Sequence, residues 1–201
     1  RATLETLYED LQLKKRGIDD FELFYKNYLG YNEMLWERYR KGFIKQDELR
    51  VKRMRLALLD FKIADETLAQ AMNVQFLELL PTRTILFPYA KEILQWLLNK
   101  NYELHLITNG FEKVQHSKLK YSGLDIFFKE VITSEGSNSL KPNKEIFEFA
   151  FQKANANPAS SIMIGDTIDV DIQGAINAGI DQVFVNHTGI STAIKPTYTV
   201  T

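Results

Sequence analysis

The sequence predicts an α/β protein in which a doubly wound parallel sheet follows a separate all-helical domain. The first 80 residues show helical periodicity and no alternating strand pattern. After residue 82, short apolar runs alternate with amphipathic segments, which is the pattern of right-handed parallel βαβ units. One run ends at Gly165-Asp166, where a side chain would face the crevice beyond the strand ends. We therefore expect a helical domain over residues 1–83 and an α/β domain over residues 84–201.

Four helices are predicted in the first domain, at residues 1–16, 19–42, 47–59 and 65–80. Asp19 and Asp20 can cap the second helix, because a carboxylate accepts hydrogen bonds from free first-turn N–H groups. Gly42 and Pro81 are typical residues for the ends of the second and fourth helices.

Strands and helices alternate in the second domain. Strands are predicted at residues 104–108, 131–133, 161–165 and 182–186. Helices are predicted at residues 88–99, 112–121 and 144–154, and from the Asp166 region to about residue 178. Residues 135–143 form a predicted polar loop that contains Lys141-Pro142.

Composition excludes several classes of protein. The formal net charge is -1, so no general attraction to nucleic acid polymers or anionic membranes is expected. The absence of Cys excludes disulfides, thiolate metal sites and Cys nucleophiles, and it fits a reducing compartment. No apolar run approaches the ~20 residues of a transmembrane helix. We expect a cytoplasmic protein without a membrane partner.

Polar residues follow the predicted strands or lie in nearby loops, in the order Thr108-Asn109-Gly110, Lys141, Asp166 with Asp171. The Thr108 hydroxyl and the backbone N–H groups of Asn109 and Gly110 can donate to a phosphoryl oxygen. Lys141 can supply positive charge to a trianionic transition state. Each feature alone is weak, because Thr-Asn-Gly is commonly a plain turn and a Lys before Pro is commonly solvated. Their shared order predicts a phosphate site.

Carboxylates cluster directly after the third predicted strand. Oxygen ligands of this kind suit Mg²⁺, so Asp166 is expected to anchor the cation. Asp171 can hold a metal-bound water or orient Lys141. Alternatively, Asp169 and Asp171 only complement the positive end of a helix dipole.

These motifs together resemble the phosphatase branch of the haloacid dehalogenase superfamily. Ile107-Thr108-Asn109-Gly110, Lys141-Pro142 and Ile164-Gly165-Asp166 with Asp171 are similar to its second, third and fourth motifs. The resemblance implies a Rossmann-like core with an all-helical cap, in which the first helix partly connects core to cap. A further resemblance is to bacterial nucleotidases that act on nucleoside monophosphates, and it is carried by Leu35-Trp36-Glu37-Arg38-Tyr39 through Asp47-Glu48-Leu49 and by Thr108-Asn109-Gly110-Phe111.

The resemblance implies a Mg²⁺-dependent phosphomonoester hydrolase that acts through an aspartyl-phosphate on nucleoside monophosphates or similar small phosphates. Thr108, Asn109, Gly110 and Lys141 would bind phosphate, with catalytic roles for Thr108 and Lys141, and the metal ligands would be Asp166 and Asp171. The family's first motif, Asp-x-Asp-x-Thr, is absent from residues 1–201. We expect its strand, and with it the nucleophile, upstream of Arg1 and between the Thr108 and Asp166 strands of the sheet.

The cap sets the substrate in this family. Trp36, Tyr39 and Arg40 are therefore candidate substrate contacts, although an aromatic stripe on a helix is more often packed core. The expected partner is a small phosphorylated substrate, and the chain is expected to be a monomer or homodimer.

Three other functions are weighed. A haloacid dehalogenase attacks carbon and needs no metal, which the acidic cluster at Asp166 disfavours. A signalling receiver domain places its acidic residues before the Thr and Lys, whereas Thr108 comes first here. A non-catalytic binding protein of the same fold stays open if the nucleophile is truly absent.

Overall fold

Helices alone form the first part of the chain, and parallel strands occur only in the second. The computed structural model describes every residue, Arg1–Thr201. It divides into two units, Arg1–Thr84 and Ile85–Thr201. No helix in either unit combines the length and the apolar character needed to cross a membrane.

The first unit contains four α-helices: α1 (Ala2–Asp10), α2 (Phe21–Arg40), α3 (Gln46–Leu59) and α4 (Glu66–Leu79). The cap predicted for the second helix is confirmed, since Asp20 accepts a hydrogen bond from the N–H of Leu23 at 3.1 Å. Asp65 caps α4 in the same way, by accepting a hydrogen bond from the N–H of Leu68 at 2.9 Å. The first helix ends earlier than predicted. Gln12 adopts a left-handed conformation, and a 3₁₀ turn follows it.

One apolar core holds these helices together. Each helix is amphipathic and buries its apolar face. The fully or largely buried side chains of this core include Leu4, Leu7, Leu13, Phe24, Tyr28, Met54, Leu58, Leu68, Met72 and Phe76. The unit is thus a helical bundle with its own core.

The second unit alternates strands with helices, as the sequence predicts. Its elements are α5 (Ala90–Asn99), β1 (His105–Thr108), α6 (Glu112–Ser122), β2 (Glu130–Thr133), α7 (Ser134–Ser137), α8 (Lys144–Ala154), β3 (Ile162–Gly165), α9 (Gln173–Asn177), β4 (Asp181–Val185) and β5 (Tyr198–Val200). Three details were not predicted: the short α7 inside the polar loop, a π-helical turn over Ile168–Ile172 before α9, and the strand β5.

The parallel strands form two sheets rather than one continuous sheet. β1 pairs with β2, and β3 pairs with β4, which also pairs with β5. β1 and β3 therefore each keep one unpaired edge. On β3, the side chains of Ile162 and Ile164 are 45% and 51% exposed, which is unusual for a strand of a parallel sheet, since such strands are normally covered on both faces.

The core of the second unit joins β2, α8 and α9 through Ile132, Ile146, Phe147, Ala150, Ala175 and Ile180. Gly174 makes the close approach of α9 possible. A Cβ at this position would lie 2.8 Å from Cε2 of Phe147 and 3.0 Å from Cα of Pro142. The glycine therefore lets the segment after β3 pack against the loop that carries Lys141.

Candidate active site at the strand ends

Lys141 and Asp171 form a buried ion pair. The distance from Lys141 Nζ to Asp171 Oδ1 is 2.7 Å, and the two residues are only 8% and 6% exposed. The same ammonium donates to the carbonyl oxygen of Ile107 in β1, also at 2.7 Å. Since an ammonium carries three protons, one N–H remains for another acceptor. The pair thus places an oriented cation beside the end of β1.

Asn109 fixes the backbone of Lys141. Its side-chain Oδ1 accepts a hydrogen bond from the Lys141 N–H at 2.7 Å, and its Nδ2 donates to the Lys141 carbonyl oxygen at 2.9 Å. The carbonyl oxygen of Asn109 in turn accepts a hydrogen bond from the Ser134 hydroxyl at 3.1 Å. Both polar atoms of the Asn109 side chain are therefore bonded to the backbone of Lys141. Only the backbone N–H of Asn109 is left to bind a phosphate.

Thr108 and Gly110 form a tight turn directly after β1. The N–H of Gly110 donates to the Thr108 hydroxyl oxygen at 3.0 Å. Because that oxygen acts as acceptor, the Thr108 hydroxyl proton is left to donate elsewhere. Thr108 is half-buried. The turn therefore presents a hydroxyl donor close to the Ile107 carbonyl that holds Lys141.

Asp171 is held on both of its carboxylate oxygens. Oδ1 accepts a hydrogen bond from Lys141 Nζ, and Oδ2 accepts one from the backbone N–H of Thr167 at 3.1 Å. A Cβ on Gly165 would collide with the Asp171 side chain, so only glycine permits this approach at the end of β3. Of the two roles predicted for Asp171, the geometry favours the orientation of Lys141.

Asp166 is exposed at the end of β3 and forms no ion pair with a basic residue. Its Oδ1 lies 3.5 Å from the Thr167 hydroxyl, which is a weak contact. Nowhere in the chain do three or more His, Cys, Asp or Glu residues come together as a ready metal site. The carboxylate oxygens of Asp166 and Asp171 fit the preference of Mg²⁺ for hard ligands, but further oxygens would have to complete the coordination.

The structure brings most of the predicted site residues into one hydrogen-bonded group. Thr108, Asn109, Gly110, Lys141 and Asp171 are linked through the contacts above, and Asp166 lies beside Thr167. Sequence reasoning missed the Ile107 carbonyl, Ser134 and the Thr167 N–H. Backbone groups carry no residue-type signal, so only the fold could reveal two of these three.

The predicted substrate contacts lie in the first unit, on α2. The rings of Trp36 and Tyr39 are 5.8 Å apart in an edge-to-face arrangement, and Arg40 is half-buried nearby on the same helix. Their role in substrate binding stays a prediction.

Known proteins that are similar to this chain are hydrolases and nucleotidases. A family model described as a haloacid dehalogenase-like hydrolase matches residues 5–179. Pyrimidine 5'-nucleotidase PynA from Streptococcus pneumoniae is 31% identical over 191 residues, covering 94% of this chain and 80% of the relative. Pyrimidine 5'-nucleotidase YjjG from Escherichia coli is 31% identical over 186 residues, covering 88% of this chain and 77% of the relative.

Solved structures contain the same architecture. The HAD-hydrolase YfnB from Bacillus subtilis, in a crystal structure described as bound to magnesium, superimposes with a TM-score of 0.85 at 27% identity. The match covers 99% of this chain and 85% of that chain. Both units of the present structure therefore have counterparts in a single known fold.

Proposed function

The chain belongs to the haloacid dehalogenase-like hydrolase family, and we propose that it is a Mg²⁺-dependent phosphomonoesterase that acts on nucleoside monophosphates. The single observation that carries the proposal is the arrangement of Lys141. Its ammonium is buried, is oriented by Asp171 and Ile107, and retains one free proton beside the Thr108 hydroxyl turn. An oriented cation next to hydroxyl and backbone donors is suited to a phosphoryl group.

Each residue of the group has a distinct part in phosphate binding. Lys141 donates a hydrogen bond from its third N–H to a phosphoryl oxygen. Its positive charge also balances the negative charge that builds up in the transition state. Thr108 donates its hydroxyl proton to a second oxygen. Asn109 acts through Lys141 and is a positioning residue, because its side-chain oxygen and nitrogen both bind the lysine backbone.

Asp166 and Asp171 are the residues that would hold Mg²⁺. When bound, the metal neutralises phosphate charge and so favours attack by an anion. Asp166 has the free carboxylate for direct contact, whereas both oxygens of Asp171 already accept hydrogen bonds within the chain. We therefore assign Asp166 the direct contact and Asp171 an indirect one.

The nucleophile is proposed to lie on a strand that pairs with the unpaired edges of β1 and β3. Neither edge has a partner within residues 1–201, and an unpaired edge in a buried sheet leaves backbone groups unsatisfied. In the mechanism that the family implies, an Asp oxygen attacks phosphorus while the bond to the leaving oxygen breaks. A second Asp gives its proton to the leaving oxygen, and then accepts a proton from the water that hydrolyses the aspartyl-phosphate.

Pyrimidine nucleoside monophosphates are the first substrates to test. The proposal takes this class from PynA and YjjG, whose names describe pyrimidine 5'-nucleotidases and which are similar over most of this chain. A small phosphorylated substrate is consistent with the composition, because the formal net charge of -1 gives no general attraction to nucleic acid polymers.

The test is phosphate release by the full-length protein from a panel of uridine, cytidine, thymidine, adenosine and guanosine 5'-monophosphates and ribose 5-phosphate. We expect release that requires added Mg²⁺ and is abolished by EDTA. Release of halide from a 2-haloacid, with no phosphate release from any ester, would instead identify a dehalogenase. Phosphate release that is unchanged by EDTA would refute the metal assignment alone.

The proposed nucleophile strand is tested by the intact mass of the full-length protein and by its N-terminal peptides. We expect a mass above the 23.3 kDa of residues 1–201 and a peptide containing Asp-x-Asp. A mature protein of 23.3 kDa without that peptide would contradict the proposed mechanism.

A further inference from the structure

The short helix α7 begins beside the turn that follows β1. Its N-cap residue is Thr133, the last residue of β2, and Thr133 lies opposite Thr108 in the register of the two strands. The Thr133 hydroxyl oxygen accepts a hydrogen bond from the N–H of Gly136 at 3.0 Å, which fixes the start of the helix. Ser134 and Glu135 are the first two residues of α7, and both bind the segment that leaves β1.

Ser134 holds the carbonyl group of Asn109. Ser134 is only 5% exposed, and its hydroxyl donates to the Asn109 carbonyl oxygen at 3.1 Å. Burial of a hydroxyl is favourable only where it is hydrogen-bonded, so this contact holds the two residues together. The side chain of Asn109 in turn binds the backbone of Lys141. Ser134 is therefore connected to the lysine through a single intervening residue.

Glu135 holds the far end of the same segment. Its Oε2 accepts a hydrogen bond from the N–H of Glu112, the first residue of α6. The first N–H groups of a helix have no partner within the helix, and the N-cap residue of α6, Phe111, makes no side-chain capping bond. Glu135 caps α6 instead, and its negative charge suits the positive end of the helix dipole.

The two contacts lie at the two ends of a four-residue segment. Ser134 binds residue 109 and Glu135 binds residue 112, so adjacent residues of α7 restrain residues 109–112. Gly110 lies between the contacts in a tight turn, and glycine has more backbone freedom than any other residue. The turn that contains the proposed phosphate donors therefore owes its restraint to α7 as well as to its own hydrogen bonds.

We propose that Ser134 and Glu135 are positioning residues of the phosphate site. They hold residues 109–112 and, through Asn109, the backbone of Lys141. Both act through other residues, and a small displacement of a catalytic group lowers the rate of a reaction. Their loss should therefore lower kcat more than it raises KM. The inference rests on the proposed function, because the site that they position is the one proposed to bind phosphate.

The first test compares steady-state phosphate release by the full-length wild type and two serine variants. Ser134→Ala should lower kcat about fivefold, which is the factor expected for one net hydrogen bond, with little change in KM. Ser122→Ala is the matched control. The Ser122 hydroxyl also donates to a backbone carbonyl oxygen, that of Lys118 at 2.7 Å, but it lies at the opposite end of α6. Equal kcat values in the two variants would overturn the role of Ser134.

Glu135 is tested by a variant that keeps the hydrogen bond without the charge. Glu135→Ala removes the acceptor for the Glu112 N–H and should also lower kcat. Glu135→Gln retains an acceptor oxygen at the same place and should restore most of the lost rate. Wild-type kcat in Glu135→Ala, or the same loss in both variants, would overturn the role of the capping hydrogen bond.

A double-mutant cycle separates positioning from general support of the fold. If Ser134 acts through Asn109, Ser134→Ala should lower kcat less in an Asn109→Ala background than in the wild type, because the link to Lys141 is already broken. The same fold-loss in both backgrounds would show that Ser134 supports the fold alone.

Exchange of the Lys141 amide proton with solvent provides a measurement that needs no substrate. This N–H donates to Asn109 Oδ1, so Ser134→Ala should speed its exchange about fivefold, whereas Ser122→Ala should leave it unchanged. Faster exchange in a protein that releases no phosphate from any ester would refute the phosphatase and leave the positioning contacts in place. Unchanged exchange in a protein that does release phosphate would refute the positioning role alone.

Discussion

Asn109 and Lys141 bind each other through two reciprocal hydrogen bonds, although they are 32 positions apart in the chain. The amide oxygen of Asn109 accepts from the Lys141 N–H at 2.7 Å, and the amide nitrogen donates to the Lys141 carbonyl at 2.9 Å. The turn after β1 thereby fixes the backbone from which the lysine reaches Asp171. The hydrogen-bond donors proposed to bind phosphate and the Lys141 ammonium are thus held as one unit.

Asn109→Ala should lower kcat more than it raises KM. Two hydrogen bonds of ~1 kcal/mol each would be lost, and Lys141 would no longer be held in its productive position. We expect kcat/KM for the best nucleotide to fall about tenfold or more in steady-state assays. Asn143→Ala is the matched control, because Asn143 is exposed and caps no backbone group with its side chain. Equal losses in both variants would contradict a specific role for Asn109.

The Lys141–Asp171 pair should be strongly coupled in stability. Lys141→Met or Asp171→Leu alone leaves one charge buried without its partner, so each should destabilise the protein by ~3–5 kcal/mol. The double variant removes both charges and should lose less than the sum of the two. Urea unfolding of the four proteins measures the coupling. Additive losses would show that the pair is not energetically linked.

Loss of Lys141 should also lower the rate of phosphate release. Lys141→Ala removes the cation from the proposed phosphate site, and the loss of a comparable electrostatic contact is worth ~3 kcal/mol of transition-state stabilisation. We therefore expect kcat to fall about a hundredfold or more. Near-normal kcat/KM in this variant would mean that the phosphate binds elsewhere.

Gly165→Ala and Gly30→Ala should act in opposite directions. A Cβ at Gly165 would collide with Asp171, so the substitution should displace this carboxylate and cost about 1–3 kcal/mol together with most of the activity. Gly30 lies inside α2 with open space around it, so alanine there should stabilise the fold by about 0.5–1 kcal/mol. Thermal unfolding and phosphate release measure both effects. Retention of activity in Gly165→Ala would refute the packing argument.

Asp166→Asn should raise the Mg²⁺ concentration needed for half-maximal activity. The substitution removes the one carboxylate at the end of β3 that is free to contact a cation, while the neutral amide keeps its size. Asp169→Asn is the control, because Asp169 is exposed in the next turn and forms no contact with Lys141. If both variants showed the same Mg²⁺ dependence as the wild type, Asp166 would not be a metal ligand.

The order of helices and strands could be predicted because it depends on neighbours in sequence. Asp20 and Asp65 cap helices that begin at the next residue, and the capping hydrogen bonds span only three positions. The first helix was predicted too long, because the left-handed conformation of Gln12 has no signal in its residue type. The short helix α7 escaped prediction for a similar reason, since its polar residues are typical of a loop.

The candidate site was predicted in its residues but not in all of their contacts. Thr108, Lys141 and Asp166 could be predicted because their residue types and their order after the strands are those that phosphate and metal binding require. The sequence does not show that the Asn109 side chain binds the Lys141 backbone, or that Ile107 provides a carbonyl for its ammonium. Those contacts join loops that are more than 30 residues apart.

By itself, the sequence determined the α/β class, the helical first part and the identity of the residues at the strand ends, because periodicity, capping and turn chemistry are local. Only the tertiary structure decided that Asp171 pairs with Lys141, and that β1 and β3 each keep an unpaired edge. The physical reason is that burial and hydrogen-bond pairing depend on which distant segments meet, and residue type alone does not specify those partners.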